Sequence, residues 1–270
     1  MTDDFPSVHG VEHRFVEAGG LRMHVAEAGA GEPLLLIHGW PQHWYEWRGV
    51  IQRLADTRRL IVPDLRGFGW SDAPPGPISP DVFVEDIIAL LDALGIERTD
   101  LAGHDWGGFT SLLLAARHPD RVRKVVAFST PHPWLEITPR LALETWRAWY
   151  AVLFAAGLAE RTTKLAAWFI RREGVTPEVY ADRLREPARA RATTQLYRSY
   201  LRTLLDTAKG GGREEPRAQA EILLCIGERD QAVTPRLGEG MPNFEIIPGA
   251  GHFVCDTHAN VVAEHIRSFL

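Results

Sequence analysis

One carboxylate in the chain occupies a position suited to a nucleophile. In Leu101-Ala102-Gly103-His104-Asp105-Trp106-Gly107-Gly108, Asp105 is flanked by glycines two residues away on either side, and the apolar stretch Phe109 to Ala116 follows. The pattern reads as a strand, a tight turn and a helix. Glycine at the flanking positions avoids Cβ clashes in such a turn. The central side chain then points out at a helix N-terminus, where the dipole and free N–H groups favour an anion. A serine there would attack acyl carbon. A carboxylate is a poor acyl nucleophile, but it can displace a leaving group from saturated carbon and form an alkyl ester. Hydrolysis of that ester by attack on its carbonyl carbon needs a base for water and donors for the oxyanion. Asp is also a favoured helix N-cap, so the neighbouring segments must decide between the two uses.

Two later segments supply the missing groups. Ile222-Leu223-Leu224-Cys225-Ile226-Gly227-Glu228-Arg229-Asp230 reads as a strand ending in a turn, and Pro248-Gly249-Ala250-Gly251-His252-Phe253 follows the apolar run Phe244 to Ile247. Asp105, Asp230 and His252 thus come in the chain order nucleophile, acid, histidine. Glu228 competes for the acid role, but Asp230 lies nearer the turn. His252 differs from the other histidines in lying in a late loop directly after Gly249 and Gly251, whereas His258 and His265 read as surface residues of a final helix. His38 and His104 read as structural supports of their loops.

Those residues need a scaffold. Residues 11–17 and 21–27 partly alternate apolar and polar around Gly19-Gly20, a β-hairpin reading. Short apolar runs recur at Pro33 to Ile37, Leu60 to Val62, Val122 to Phe128, Ile222 to Ile226 and Phe244 to Ile247. Such runs suit strands buried on both faces of a parallel sheet. Helical spacing in Val82 to Leu94 lies between two of them. The expected class is α/β with a mostly parallel sheet. From Pro131 to the glycine run Gly210-Gly211-Gly212 no strand pattern occurs. Three amphipathic patterns replace it, around Leu141, Thr145, Trp146, Trp149, Tyr150 and Leu153, around Leu165, Trp168 and Phe169, and around Leu196, Tyr200, Leu201 and Leu204. The expected division is a core of residues 1–130 and 216–270, interrupted by an all-helical domain of residues 131–215.

With 270 residues the chain can bury a core without disulfide or metal staples. Thirty basic and 35 acidic residues give a net charge of −5, which argues against a nucleic-acid partner. Cys225 and Cys255 are the two cysteines and have no metal-ligand spacing. The start Met1-Thr2-Asp3-Asp4-Phe5-Pro6 is unlike a signal peptide. No apolar run approaches the roughly 20 residues of a membrane span. The expectation is a cytoplasmic protein with reduced thiols, with no membrane partner, as a monomer or homodimer.

The motifs resemble those of the α/β-hydrolase superfamily and, within it, the epoxide hydrolases. His38-Gly39-Trp40-Pro41 with Trp44-Tyr45-Glu46-Trp47-Arg48 resembles the H-G-x-P oxyanion loop, and Asp64-Leu65-Arg66-Gly67-Phe68-Gly69-Trp70-Ser71-Asp72 resembles the turn D-x-R-G-x-G-x-S. Gly103 to Gly108 resembles the nucleophile elbow. The resemblance implies an α/β-hydrolase fold with an eight-stranded sheet flanked by helices, and a helical cap. It implies backbone N–H donors at Trp40 and Trp106, no cofactor or metal, and a small apolar epoxide as substrate. Two cap tyrosines would donate to the epoxide oxygen, which otherwise leaves poorly. Tyr150, in Trp149-Tyr150-Ala151-Val152-Leu153-Phe154, and Tyr197, in Leu196-Tyr197-Arg198, match those positions. Tyr200, one turn from Tyr197, is the rival for the second, and Tyr180 reads as structural. Trp40 stands where related loops often carry Phe, and with Trp106 and Trp149 it is expected to line the pocket. Haloalkane dehalogenases share the Asp elbow and are the alternative. Many of them place Asn where this chain has Trp40. A third reading is a non-catalytic binding protein on the same fold. The joint presence of nucleophile, acid, histidine and both tyrosines argues against it.

Overall fold

The computed structural model describes residues 4–135, 149–157, 159–209 and 215–270. Its centre is an eight-stranded sheet in the order β1-β2-β4-β3-β5-β6-β7-β8. The strands are β1 (Glu12–Ala18), β2 (Leu21–Ala28), β3 (Pro33–Ile37), β4 (Arg59–Pro63), β5 (Thr99–His104), β6 (Val122–Phe128), β7 (Glu221–Gly227) and β8 (Phe244–Ile247). β2 pairs antiparallel with β1 and with β4, and the other pairings are parallel. Both the hairpin and the mostly parallel sheet match the sequence expectation.

The continuous apolar runs follow from burial on both faces. In β3, Leu35 and Ile37 join one core, while Leu34 and Leu36 join the other. The first core lies under α2 (Pro80–Ala93) and α3 (Trp106–Arg117), and the second under α1 (Arg48–Leu54) and α9 (Ala259–Phe269), with the short α8 (Val254–Thr257) before it. Helix α2 starts where sequence rules place a start: Pro80 is at the first turn and Ser79 accepts from the Val82 N–H.

Between β6 and β7 lie α4 (Trp149–Ala155), α5 (Ala159–Arg172), α6 (Glu178–Leu184) and α7 (Pro187–Ala208), with no strand among the described residues there. Leu141, Thr145 and Trp146, and the glycines Gly210-Gly211-Gly212, lie outside the described residues. These helices meet the loops leaving the C-terminal ends of β3, β4 and β8. The Trp40 indole N–H donates to Thr193 Oγ1 (3.0 Å), and Arg183 and Arg189 donate to the carbonyls of Gly69 and Ser71. Tyr180, at the start of α6 as read, donates its hydroxyl to Asp256, which also pairs with Arg48.

Buried Asp64 organises the loops that carry the oxyanion motif. Its carboxylate accepts from the amides of Trp44 and Trp70 (each 2.8 Å) and pairs with His24 (2.7 Å). Burial opposes its charge, but the neighbouring histidines, His24 first, hold its pKa well below the usual range. A Cβ on Gly69 would strike that carboxylate, and Gly69 has φ +48°. Nearby, His38 accepts from the Leu65 N–H (2.9 Å), a structural role like the one expected.

One boundary differs from expectation. Helix α3 begins at Trp106, so Gly107 and Gly108 lie in its first turn rather than before it. They permit α3 to press on its neighbours: a Cβ on Gly107 would strike the Ile37 carbonyl oxygen. Likewise His258 caps α9 from outside the helix, and His265 is half-buried and paired with Glu245. Gly107→Ala is expected to lose about 3 kcal/mol of stability, because rigid backbone must move. A denaturant midpoint unchanged from the parent would contradict this packing.

Candidate active site

Asp105 directly follows β5 and precedes α3 with φ +49° and ψ −118°. A non-glycine residue in that region is strained and persists because its surroundings over-determine it. Here its N–H donates to the Phe128 carbonyl (3.0 Å) and its C=O accepts from Phe109 (2.9 Å). Its side chain makes no capping bond to the helix beyond the first residue. It turns to the loop after β3 and accepts from the Trp40 N–H on Oδ2 (2.9 Å), with a second bond from the Trp106 N–H. A Cβ on Gly39 would lie 2.6 Å from Asp105 Cβ, so this approach needs glycine there. Burial raises the Asp105 pKa, against the pull of His252, His104 and the two amides.

The loops after β7 and β8 bring Asp230 and His252 to the same place. His252 Nδ1 lies 2.9 Å from Asp230 Oδ2, and its Nε2 lies 3.9 Å from Asp105 Oδ1. Asp230, 2% exposed, is fixed through Oδ1 by the amides of Ala232 and Val233 (2.9 and 2.8 Å). Glu228, the rival acid, instead accepts from the Gly249 N–H. Burial lowers the His252 pKa, but Asp230, Asp105 and Glu173 outweigh it and hold the ring at about 10. A pKa raised above the unfolded value means stability that is fully present below pH 6.5 and fades as pH rises through about 10.

Tyr150, Tyr197 and Tyr200 all lie within electrostatic reach of Asp105. Burial comes first in raising all three pKa values, so the phenols stay protonated and can donate. Tyr150 and Tyr197 are ring neighbours with centroids 6.1 Å apart. Tyr197 packs against Trp40 (5.2 Å) and Phe154 (4.8 Å), and Trp106 stands edge-on to both Tyr197 (6.1 Å) and Tyr200 (5.6 Å). Trp40 and Trp106 therefore stand beside these tyrosines. Trp149 does not join them in the same way. It is 48% exposed, and its ring neighbours are Tyr150 and Phe169. Trp168 is equally exposed. Helical spacing marks a face but does not tell which side of a short helix meets solvent.

Sequence reading passed over Glu46 and Glu173. Glu46 is fully buried and lies 3.2 Å from His104 Nδ1, while His104 Nε2 lies 2.9 Å from the His252 carbonyl. His104 thus ties the elbow to the His252 loop, and Glu46 raises its pKa against burial. The signal was an acidic residue inside Trp44-Tyr45-Glu46-Trp47, where burial demands a partner. Cys255 lies beside the pair, and the three form a cluster of metal-ligand types among the described residues. Both His104 nitrogens are already engaged within the protein.

The model for the alpha/beta hydrolase fold matches residues 32–259. The chain belongs to the alpha/beta hydrolase fold family. Its relatives and structural neighbours in this family include epoxide hydrolases, in keeping with the motif resemblance. Epoxide hydrolase 2 of Siraitia grosvenorii is 43% identical over 122 residues, covering 44% of this chain and 39% of that protein. Epoxide hydrolase 2 of Caenorhabditis elegans is 28% identical over 287 residues, covering 96% of this chain and 79% of that protein. A solved epoxide hydrolase mutant of Vigna radiata is 26% identical with a TM-score of 0.76, covering 97% of this chain and 99% of its own. The chain matches only about two-fifths of the length of the Siraitia relative. No helix among the described residues is long and apolar enough to cross a membrane.

In this alpha/beta hydrolase, Asp230→Asn removes the largest charge that supports the His252 imidazolium. NMR titration of the ring is expected to find its pKa well below about 10. A ring still titrating near its parent value would contradict the pairing.

Proposed function

We propose that the chain is an epoxide hydrolase acting on a small apolar epoxide, with residues 131–215 as a cap over a core of residues 1–130 and 216–270. The observation that carries this is the meeting of protonated phenols with one buried carboxylate: Tyr150 and Tyr197, ring neighbours at 6.1 Å, both face Asp105. Carboxylate attack on a saturated carbon is within reach of many such sites. Proton donation to the departing oxygen is what an epoxide adds to the demand, because an alkoxide leaves poorly without it.

In the first step Asp105 Oδ1 attacks an epoxide carbon, the ring C–O bond breaks, and a phenol gives its proton to the oxygen. Oδ2 stays with the Trp40 amide and becomes the ester carbonyl oxygen, with the Trp106 amide also on the carboxylate. In the second step His252 Nε2 takes a proton from water, and the resulting hydroxide attacks Asp105 Cγ. Negative charge then develops on Oδ2, where the Trp40 N–H already points, with the Trp106 N–H as the second donor. Collapse breaks the acyl C–O bond, the departing oxygen takes the proton of the attacking hydroxyl, and a vicinal diol leaves with Asp105 again a carboxylate. The ring ends the cycle as the imidazolium of the free protein. Asp230 holds the His252 tautomer and balances its charge.

Ester formation removes the Asp105 charge, which is one support of the His252 imidazolium. The ring therefore loses basicity when the ester forms, and its proton passes by way of solvent to the phenolate. The ring then serves as a base in the second step.

With styrene oxide, the parent is expected to form diol and Asp105→Asn none. His252→Gln is expected to accumulate a covalent adduct equal in mass to the whole epoxide. Tyr150→Phe with Tyr197→Phe should slow ester formation by about 100-fold, and Tyr200→Phe by only a few fold. Rapid-quench mass spectrometry separates the steps. Bromide release from 1-bromobutane without diol from any epoxide would move the reading to dehalogenation. An equal loss in Tyr200→Phe would move the second phenol there.

A further inference from the structure

We infer that Glu173, on the helical segment between β6 and β7, is a positioning residue for His252: its carboxylate braces the turn 251–253 and supports the imidazolium charge. Its backbone is held at the end of α5. The Glu173, Gly174 and Val175 amides donate back to Ile170, Arg171 and Ile170, and Gly174 takes φ +82° to close the helix. From there the Glu173 carboxylate crosses to the loop after β8. Oε2 accepts from the Phe253 N–H (3.0 Å), and a Cβ on Gly251 would strike the same oxygen. One carboxylate thus touches the residues on both sides of His252, and glycine at 251 makes the room. The contact is backed by packing, since Phe253 is buried in a cluster with Ile170, Val175 and Tyr180 of the same helical segment.

The groups facing His252 are Asp105 on the elbow, Asp230 after β7, Glu173 from the helical segment, and His104 on β5, whose ring lies 5.2 Å away. Asp230 serves Nδ1 and Asp105 faces Nε2. Once Asp105 is esterified, Asp230 and Glu173 are the carboxylates of this set that remain charged. This step rests on the epoxide hydrolase reading above; the contact with the His252 turn does not. The helices over the site therefore add a negative charge where water must be deprotonated, and they act on the base without touching substrate.

Glu173→Gln keeps an oxygen for the Phe253 N–H and removes the charge. NMR titration of the free protein is expected to show the His252 ring pKa lowered by about half a unit. In single turnovers, the acid limb of ester decay should move down by a similar amount, with ester formation within about twofold of the parent. Glu173→Ala, which also loses the bond, should add about a tenfold slower ester decay at the plateau. An unmoved ring titration in a folded Glu173→Gln protein overturns the inference, as does an equal slowing of both steps with no shift in pH. If the parent forms no ester at all, the epoxide reading fails, and the ring titration still decides the role of Glu173.

Discussion

A carboxylate held out of water is the constraint around which this molecule is arranged. Asp105 sits at the end of a buried strand in a backbone conformation that non-glycine residues avoid. Burial alone would protonate it, and a protonated Asp is no nucleophile. Two amides and an imidazolium oppose that burial. They come from three different segments. Trp106 belongs to the helix behind it, Trp40 to the loop after β3, and His252 to the loop after β8. Parallel strands make this convergence possible, since they deliver the ends of β3, β5, β7 and β8 to one edge of the sheet.

The same constraint explains the glycines and the buried polar residues. Gly39 and Gly107 let backbone approach where a Cβ would collide. Asp64 and Glu46 look costly in a core, yet each fixes a loop that must be held within a fraction of an ångström. Asp64 gathers the amides of Trp44 and Trp70, and Glu46 orients His104, which holds the carbonyl of His252. The helices between β6 and β7 complete the set. They bring phenols over Asp105, hold the Trp40 indole through Thr193, and place Glu173 against the His252 turn.

Much of this was legible before any coordinates. Continuous apolar runs marked the two-faced strands, and the hairpin around Gly19-Gly20 lies where alternation placed it. The glycine-flanked Asp105, with Asp230 and His252 after it in order, named a set of side chains that the structure brings within 4 Å of one another in sequence of contact. Contacts between distant, unpatterned residues were not legible. Glu46 finds His104 across 58 positions and Glu173 finds Phe253 across 80, and neither segment carries a pattern that names its partner. Trp149 was expected to line the pocket, and its indole lies half in solvent. Tyr197 and Tyr200, a turn apart, both reach towards Asp105, so spacing could not separate them.

The central claim is that water attacks an ester of Asp105 and never the epoxide itself. A single turnover in water enriched in oxygen-18, with enzyme in excess over epoxide, tests it directly. The account predicts a diol free of label and one heavy oxygen in the Asp105 carboxylate, found by mass spectrometry of the peptide that contains it. Label in the diol from that first turnover, with Asp105 unlabelled, would mean that water opens the ring directly, and would contradict the account.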